Sequence, residues 1–461
     1  MARWMRAILA WGSAATLVLA LAACSKEPSA AQEGEESHPE RNNKKVIIEM
    51  SVWGMPWEND LYREIYIPAF EAENPNVEVK FYHFPRYNER LLTLYRAGES
   101  PDVMRQNIVW GGLYMQKGTN RPLDNYIDGP DGVDRSDFLQ ILWDRVTFDG
   151  KTYGLPQDIN MIGLFYNKDI FDNAGIAYPD ASWTWDDLER VAKRLTKVKN
   201  KRVEIFGYDA IWYSSEFMCY FLQAGGKIWS EDRQRCLINS AAGVEALRFW
   251  KSMIYEFHLA RSGDMRGGTA IGPDKFFEMG KTAMYVDGTW SIPAIKRNAP
   301  DLRFGVAPLP HFRRAATIGT SCYWAISKQS KHPDEAWKLI KFMNSTENLL
   351  RYWRVLWVAP PARWSALRDP RFRQITGLDT RIPGLPEEEF DEKCGWILYC
   401  LENGITTTEQ IHPRLGDLMT ELQIAIDKVL VMRSTVDPQD ALDACVERVN
   451  KIVAEDAKSR N

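Results

Sequence analysis

Basic charge is not in excess in this chain. Its 58 Lys and Arg stand against 62 Asp and Glu, leaving a net charge of −4 and an isoelectric point near 6.0. Nucleic-acid binding leaves a basic stripe or patch in a sequence, so no nucleic-acid partner is expected. No Gly-x-Gly-x-x-Gly is present to bind a dinucleotide. Gly280-Lys281-Thr282 has the ending of a phosphate loop, but Lys275 stands where the loop's first Gly must be, so the cradle of backbone amides is missing. Gly319-Thr320-Ser321 lacks the second Gly of a nucleophile elbow, and no His is placed to complete a triad. The 6 His are scattered, with no pair at helical ligand spacing, which argues against a zinc site. No cofactor, metal or catalytic residue is expected. The part of the chain that folds shows neither internal repeats nor low-complexity tracts.

Long apolar runs are also missing. The uncharged stretch from Ala7 to Ala23 follows Arg3 and Arg6 and is rich in Ala, Gly and Ser. It is too short for a comfortable membrane span and fits the apolar core of an export signal. It ends in Leu21-Ala22-Ala23-Cys24, which resembles the lipobox of bacterial lipoproteins. The expectation is a signal over residues 1–23 and a lipid on Cys24. Residues 24–44 carry Ser, Glu, Pro, Asn and Lys with almost nothing apolar, a composition that cannot bury enough surface to fold, so they read as a disordered tether. Six further Cys remain. An exported protein could pair Cys219 with Cys236 and Cys394 with Cys400. Buried free thiols are the alternative in a chain large enough to need no staples.

Hydrophobic residues make up 45% of the chain, ample for large cores, and the length suggests two or three domains at about 100–200 residues each. Tryptophan is plentiful at 18. Many of these sit beside turn residues, where an indole offers a flat apolar face with one polar edge. Strand-like Lys45–Val52 is followed by a Pro-kinked helix through Leu61, Ile65 and Phe70, then by strand-like Val77–Tyr82. A helix over Tyr87–Ala97 and a strand opening at Pro101 come next. This alternation predicts a mostly parallel sheet with helices on its faces. Later, Thr184-Trp185-Asp186-Asp187 forms a capping box, and helices are expected over Ala241–Tyr255, Pro333–Met343 and Leu415–Val431.

Several ordered segments carry a family resemblance. They include Phe70-Glu71-Ala72-Glu73-Asn74-Pro75-Asn76-Val77, Gly98-Glu99-Ser100-Pro101-Asp102-Val103, Tyr153-Gly154-Leu155-Pro156 and Tyr166-Asn167-Lys168-Asp169-Ile170-Phe171. Gly280-Lys281-Thr282-Ala283-Met284, Asp287-Gly288-Thr289-Trp290 and His332-Pro333-Asp334-Glu335-Ala336-Trp337 follow. Together they resemble the extracellular solute-binding proteins that feed ABC importers for sugars, the maltose-binding type. The resemblance implies an α/β, two-lobed periplasmic-binding-protein-like fold (type II) with the ligand cleft between the lobes. One lobe is expected over 45–157 and 322–368, the other over 158–321 and 369–461.

The resemblance also nominates ligand contacts. Trp53 follows the first strand, and Asn107 and Trp110 follow the strand begun at Pro101. Asp158 and Asn160 lie in a span that matches the maltose-type pattern. Trp212 and Tyr213 precede Gly225-Gly226. Trp290 matches an aromatic on which a sugar ring stacks. Thr320, between Gly319 and Ser321, stands where the family often has two glycines, and Trp396 is a candidate in the last third. Core packing is the competing role for Trp110 and Trp212, and turn formation for Asp158 and Asn160. The implied function is that of a monomeric, lipid-anchored, extracytoplasmic receptor on a bacterial membrane. It would close on a carbohydrate and present it to ABC permease subunits, without chemistry. The rivals are an exported glycosidase, a surface lipoprotein with no transporter, and the same fold binding a peptide, polyamine or glycerol phosphate ester.

Overall fold

The computed structural model describes residues 45–210, 212–261, 272–379, 381–407, 411–431 and 435–458. Cys24 and the stretches expected to be an export signal and a tether lie outside the described residues. The strands in chain order are β1 (Val46–Val52), β2 (Val77–His83), β3 (Val103–Asn107), β4 (Thr147–Phe148), β5 (Lys151–Thr152), β6 (Leu155–Pro156), β7 (Asn160–Asn167) and β8 (Lys197–Lys199). They continue as β9 (Arg202–Ile205), β10 (Asp209–Ala210), β11 (Met284–Gly288), β12 (Phe304–Ala307), β13 (Thr317–Thr320), β14 (Cys322–Ile326) and β15 (Thr406–Thr407).

Two large sheets organise most of these strands, while β4-β5 and β8-β9 form separate antiparallel pairs. The first has the order β2-β1-β3-β14-β6, with β1 parallel to β2 and β3, and β14 antiparallel to its neighbours β3 and β6. Val46, Ile48 and Met50 point to one face of β1, the period-2 pattern of a half-buried strand, and they pack with Tyr62, Phe70 and Leu339. The second sheet has the order β10-β11-β7-β13-β15, and β12 also pairs with β7. Its central strand β7 is buried at every position after Asn160, which is why Met161–Tyr166 reads as a continuous apolar run and not as an alternating one. Helices cover one side of this sheet with Trp250, Leu247, Leu418 and Ile426. On the other, helix Phe390–Glu402 lays Trp396 on Gly163, where an added Cβ would come within 3.0 Å of the indole.

The expected helices are present at Tyr87–Ala97, Ala241–Tyr255, Pro333–Met343 and Leu415–Leu430. Thr184 and Asp187 form the reciprocal capping box before helix Trp185–Leu195. The Pro-kinked helix contains a π-helical turn at Tyr62–Tyr66, just before Ile67-Pro68. Pro68 lacks an N–H and its ring would crowd the carbonyl one turn back, so the helix widens there instead of breaking. Pro370–Arg373 packs on helix Thr346–Leu356: Phe372 stacks on Trp353 at 5.0 Å, and Trp353 Nε1 donates to the Phe372 carbonyl at 2.8 Å. The expected change of lobe at Arg368 thus falls inside a stretch that stays with the helices of the first sheet. The six described Cys are all free and buried. Pairing of Cys219 with Cys236 and of Cys394 with Cys400 is therefore not what the fold uses, and the buried-thiol reading holds.

Candidate functional site

The chain passes from the first sheet to the second through Gln157-Asp158-Ile159 and returns through Ser321. Each passage joins strand ends directly. Because β13 is antiparallel to β7, its last residue, Thr320, faces Asn160, the first residue of β7. Because β14 is antiparallel to β3, its first residue, Cys322, faces Asn107, the last residue of β3. The Ile108 amide donates to the Ser321 carbonyl at 3.1 Å and closes the gap between the two pairs. Asn107, Asn160 and Thr320, which are far apart in sequence, therefore meet where the two sheets abut. Open α/β sheets bind ligands at such strand ends.

Asn160 and Thr320 are directly opposite each other in an antiparallel pair, so their side chains share one face. Both are half-buried, and neither has a hydrogen-bond partner among the described residues. Asn107 uses its carbonyl oxygen to cap helix Ile108–Gln116, accepting from the Val109 amide at 2.8 Å, and its amide group is left to donate. Beside it, Trp53, Asn107, Val109 and Trp110 line a concavity of about 440 Å³ together with Phe84 and Arg86. Trp110 also rests on helix Leu415–Leu430, where a Cβ on Gly416 would lie 2.7 Å from the indole. It is both a wall of the concavity and a packing contact with the second lobe.

Trp290 is carried to the same edge. β11 ends at Gly288, which pairs with Ile162, two residues along β7 from Asn160. Asp287, 1% exposed, fixes the turn: its carboxylate accepts from the Gly288 amide at 2.7 Å and from the hydroxyls of Ser291 and Tyr285. The Thr289 amide donates to the Met161 carbonyl at 3.0 Å. The indole then lies flat on Gly288, where a Cβ would be 2.3 Å from the ring, and it remains 38% exposed. Burial pushes the Asp287 carboxyl up to about 6 against these three hydrogen bonds. Glu216, fully buried on the first turn of helix Ser214–Gln223, is pushed up to about 8 by burial, with Asp287 adding to the rise.

Three nominated residues have different surroundings. Asp158 is 1% exposed, and its two oxygens face the Cys322 amide at 2.9 Å and Arg105 Nη2 at 3.5 Å. Trp212 is 5% exposed and packs edge-on to Trp250 at 5.0 Å, inside the second lobe's core; the exposed ring is its neighbour Tyr213. Trp396 is buried on β7, against Gly163. In each case the core supplies enough contacts to account for the residue.

A buried network not signalled by any motif lies under the crossing strands. Arg105, on β3 and 2% exposed, pairs with Glu58 at 2.6 Å, donates to Gln157 Oε1 at 3.1 Å and to the Trp53 carbonyl at 3.2 Å, and reaches Asp158. Its guanidinium sits 5.2 Å from the Trp53 ring centroid, a cation–π contact that holds one face of that ring. Gly54, at φ 134°, lets Glu58 approach, since a Cβ there would be 2.1 Å from its carboxylate. Burial raises the Asp158 carboxyl to about 6, with Arg105 and the Cys322 amide opposing. The one legible hint was an arginine directly after Val103 and Met104 in a strand, because a buried charge must be paired.

The sequence profile of the bacterial extracellular solute-binding protein family matches residues 56–349, well over half of the chain. A Brucella abortus protein designated only as a binding protein is 31% identical over 290 residues, covering 61% of this chain and 68% of its own length. The arabinooligosaccharide-binding protein of Bacillus subtilis is 26% identical over 365 residues, 76% of this chain and 78% of its own. Among solved structures, an ABC substrate-binding protein of Listeria monocytogenes in complex with cycloalternan superposes with a TM-score of 0.75 at 24% identity, covering 89% of this chain and 99% of that one. The chain belongs to the bacterial extracellular solute-binding protein family and has its two-lobed fold. The family consists of binding receptors and not enzymes, which sets aside the glycosidase reading. Among the described residues, no helix is long and apolar enough to cross a membrane.

Proposed function

We propose that this protein captures a carbohydrate in the cleft where the two sheets abut and hands it to the permease of an ABC importer, anchored to the bacterial envelope through a lipid on Cys24. The observation that carries the reading is the half-exposed Trp290 indole, held on Gly288 at the same strand ends as the unpartnered polar pair Asn160 and Thr320. A sugar ring has apolar C–H faces and a belt of hydroxyls. An indole face matches the first, and amide and hydroxyl groups match the second with directional hydrogen bonds. Trp53, Asn107 and Trp110 form the opposing wall on the first lobe. Asp158 and Trp212 act behind this surface, as support for the crossing strands and the second core. The names of relatives that bind arabinooligosaccharides and maltodextrins point the same way.

Charge favours a neutral solute. The basic side chain on the rim of the concavity, Arg86, is paired with Glu89 at 2.7 Å, and Arg105 beneath it is neutralised by Glu58 and Asp158. The lobes would close on the solute by a hinge at the two crossing segments. A thermal-shift screen against mono- and oligosaccharides, followed by calorimetric titration of Trp290→Phe and Trp290→Ala, tests the reading. Loss of a buried aromatic anchor commonly costs ~2 kcal/mol or more, about thirtyfold in affinity, with Phe intermediate. Equal affinities in all three proteins would make Trp290 a packing residue and end this assignment.

A further inference from the structure

A second groove runs away from the cleft along the edge of the first sheet. β2 is the edge strand, and its register with β1 places Lys80 beside Glu49 and Tyr82 beside Ser51. Helix Tyr87–Ala97 reaches this face at the Ser51 end, where the Tyr87 and Ser51 hydroxyls lie 2.9 Å apart. The rest stays open as a groove of about 630 Å³ that holds Ile47 and Tyr82, both 37% exposed, and Phe84. The Tyr82 and Phe84 rings are nearly parallel, 15° apart with centroids at 5.9 Å. The Tyr82 hydroxyl donates to Glu49 at 3.2 Å, which fixes the ring. Phe84 also lines the concavity of Trp53, Asn107 and Trp110. The cleft and the groove therefore share one residue, and a row of aromatic surface leads from Trp110 past Phe84 to Tyr82.

We propose that this row is an extension of the solute site and that the protein's ligand is an oligosaccharide whose trailing units leave the cleft over Phe84 and stack on Tyr82. This rests on the reading that the cleft binds carbohydrate, and it adds chain length to it. The groove's charges select for a neutral occupant. Lys80, Arg90 and Lys331 are matched by Glu49, Glu99 and Asp102, so no net field favours an ion. What remains is a flat apolar platform rimmed by hydrogen-bonding groups, and a pyranose or furanose chain presents the complementary surface. Continuity with the cleft argues for the same ligand and not a separate one, because two sites joined by a shared wall can hold one chain with a single loss of translational freedom.

The test is calorimetric titration of the whole protein and of Tyr82→Ala with glucose and arabinose oligomers graded from about two to about seven units, with Trp290→Ala as the cleft control. Tyr82 is exposed at a sheet edge, and thermal melting verifies the fold of the variant. In the wild type, affinity should climb with length in the series that binds. Tyr82→Ala should remove that climb, losing roughly three- to tenfold on the longest oligomer while matching the wild type on the shortest. If Tyr82→Ala leaves the longest oligomer unaffected, or weakens all lengths equally, the extension is wrong while the cleft reading stands on Trp290→Ala. If no oligomer of either series binds the wild type, the extension falls, and the cleft reading stands or falls on the thermal-shift screen.

Discussion

Glu216→Gln should flatten the pH dependence of this protein's stability on the alkaline side of neutrality. Glu216 is fully buried on the second lobe. One carboxylate oxygen accepts from the Ser215 hydroxyl, and the other is buried without a hydrogen-bond partner. Burial raises the group from 4.5 to about 8. A carboxyl raised in the folded state binds protons more tightly there than in the unfolded chain. Its contribution is therefore intact below about pH 4.5 and is lost progressively as pH rises through 8. Every tenfold gain in proton affinity is worth ~1.4 kcal/mol, so the full loss is on the order of 5 kcal/mol. Asp158 and Asp287, each raised to about 6, lose their share mostly below about pH 6.5. Between about pH 6.5 and pH 8 the remaining slope belongs to Glu216 and amounts to ~1.5 kcal/mol. Urea unfolding of the unliganded protein at these two pH values measures it, with the denaturant slope checked for constancy. Gln cannot ionise, so the variant should lose little over that interval. An equal slope in both proteins would show that Glu216 is not the titrating group and that its pocket is wetter than the fold implies.

Two other outcomes follow from the same geometry and a third from the sequence around Cys24. Gly288→Ala should push the Trp290 indole off its seat, because the new Cβ would sit 2.3 Å from the ring; solute affinity should fall at least as far as in Trp290→Phe, and unchanged affinity by calorimetry would mean the seat is irrelevant. Asp158→Ala leaves the Cys322 amide and part of Arg105 unpaired beneath the crossing strands and should cost ~3 kcal/mol of stability in denaturant unfolding; a loss below about 1 kcal/mol would make Asp158 a direct ligand contact again. Cys24→Ser should release the protein from the membrane fraction, and a wild-type N-terminal peptide without acyl mass in mass spectrometry would refute anchoring.

Local patterns in the sequence were enough for the helices and for the parallel strands β1, β2 and β3. The expected mostly parallel sheet is instead mixed: β14 runs antiparallel to β3 and β6, and β7 antiparallel to β11, β12 and β13, pairings between strands remote in sequence. The capping box at Thr184, the amphipathic stripe of Pro333–Met343 and the strand–helix alternation from Lys45 onward depend on neighbours a few residues away, so a linear reading finds them. The turn that carries Trp290 was legible for a similar reason: it is built by Asp287 and Gly288, adjacent in the chain. Trp212 and Tyr213 show where this stops. Both follow the same strand, and only the approach of Trp250 and Tyr208 decides that the first ring is core while the second is exposed.

Sequence by itself determined the family resemblance, which implied the two-lobed architecture, and the placement of an aromatic after a turn, because those are carried by contiguous motifs. Tertiary structure alone decided which polar residues keep unpartnered side chains at the strand ends and which hold the crossing strands. Asn160 and Asp158 are two residues apart and equally suited to either task. Asp158 became a buried partner of Arg105 and of the Cys322 amide because β3 and β14, from distant parts of the chain, converge on it and remove its water. Asn160 faces Thr320 across the β7–β13 pair, and among the described residues its side chain has no hydrogen-bond partner. Desolvation by residues remote in sequence separates the two roles, and no pattern along the chain encodes it.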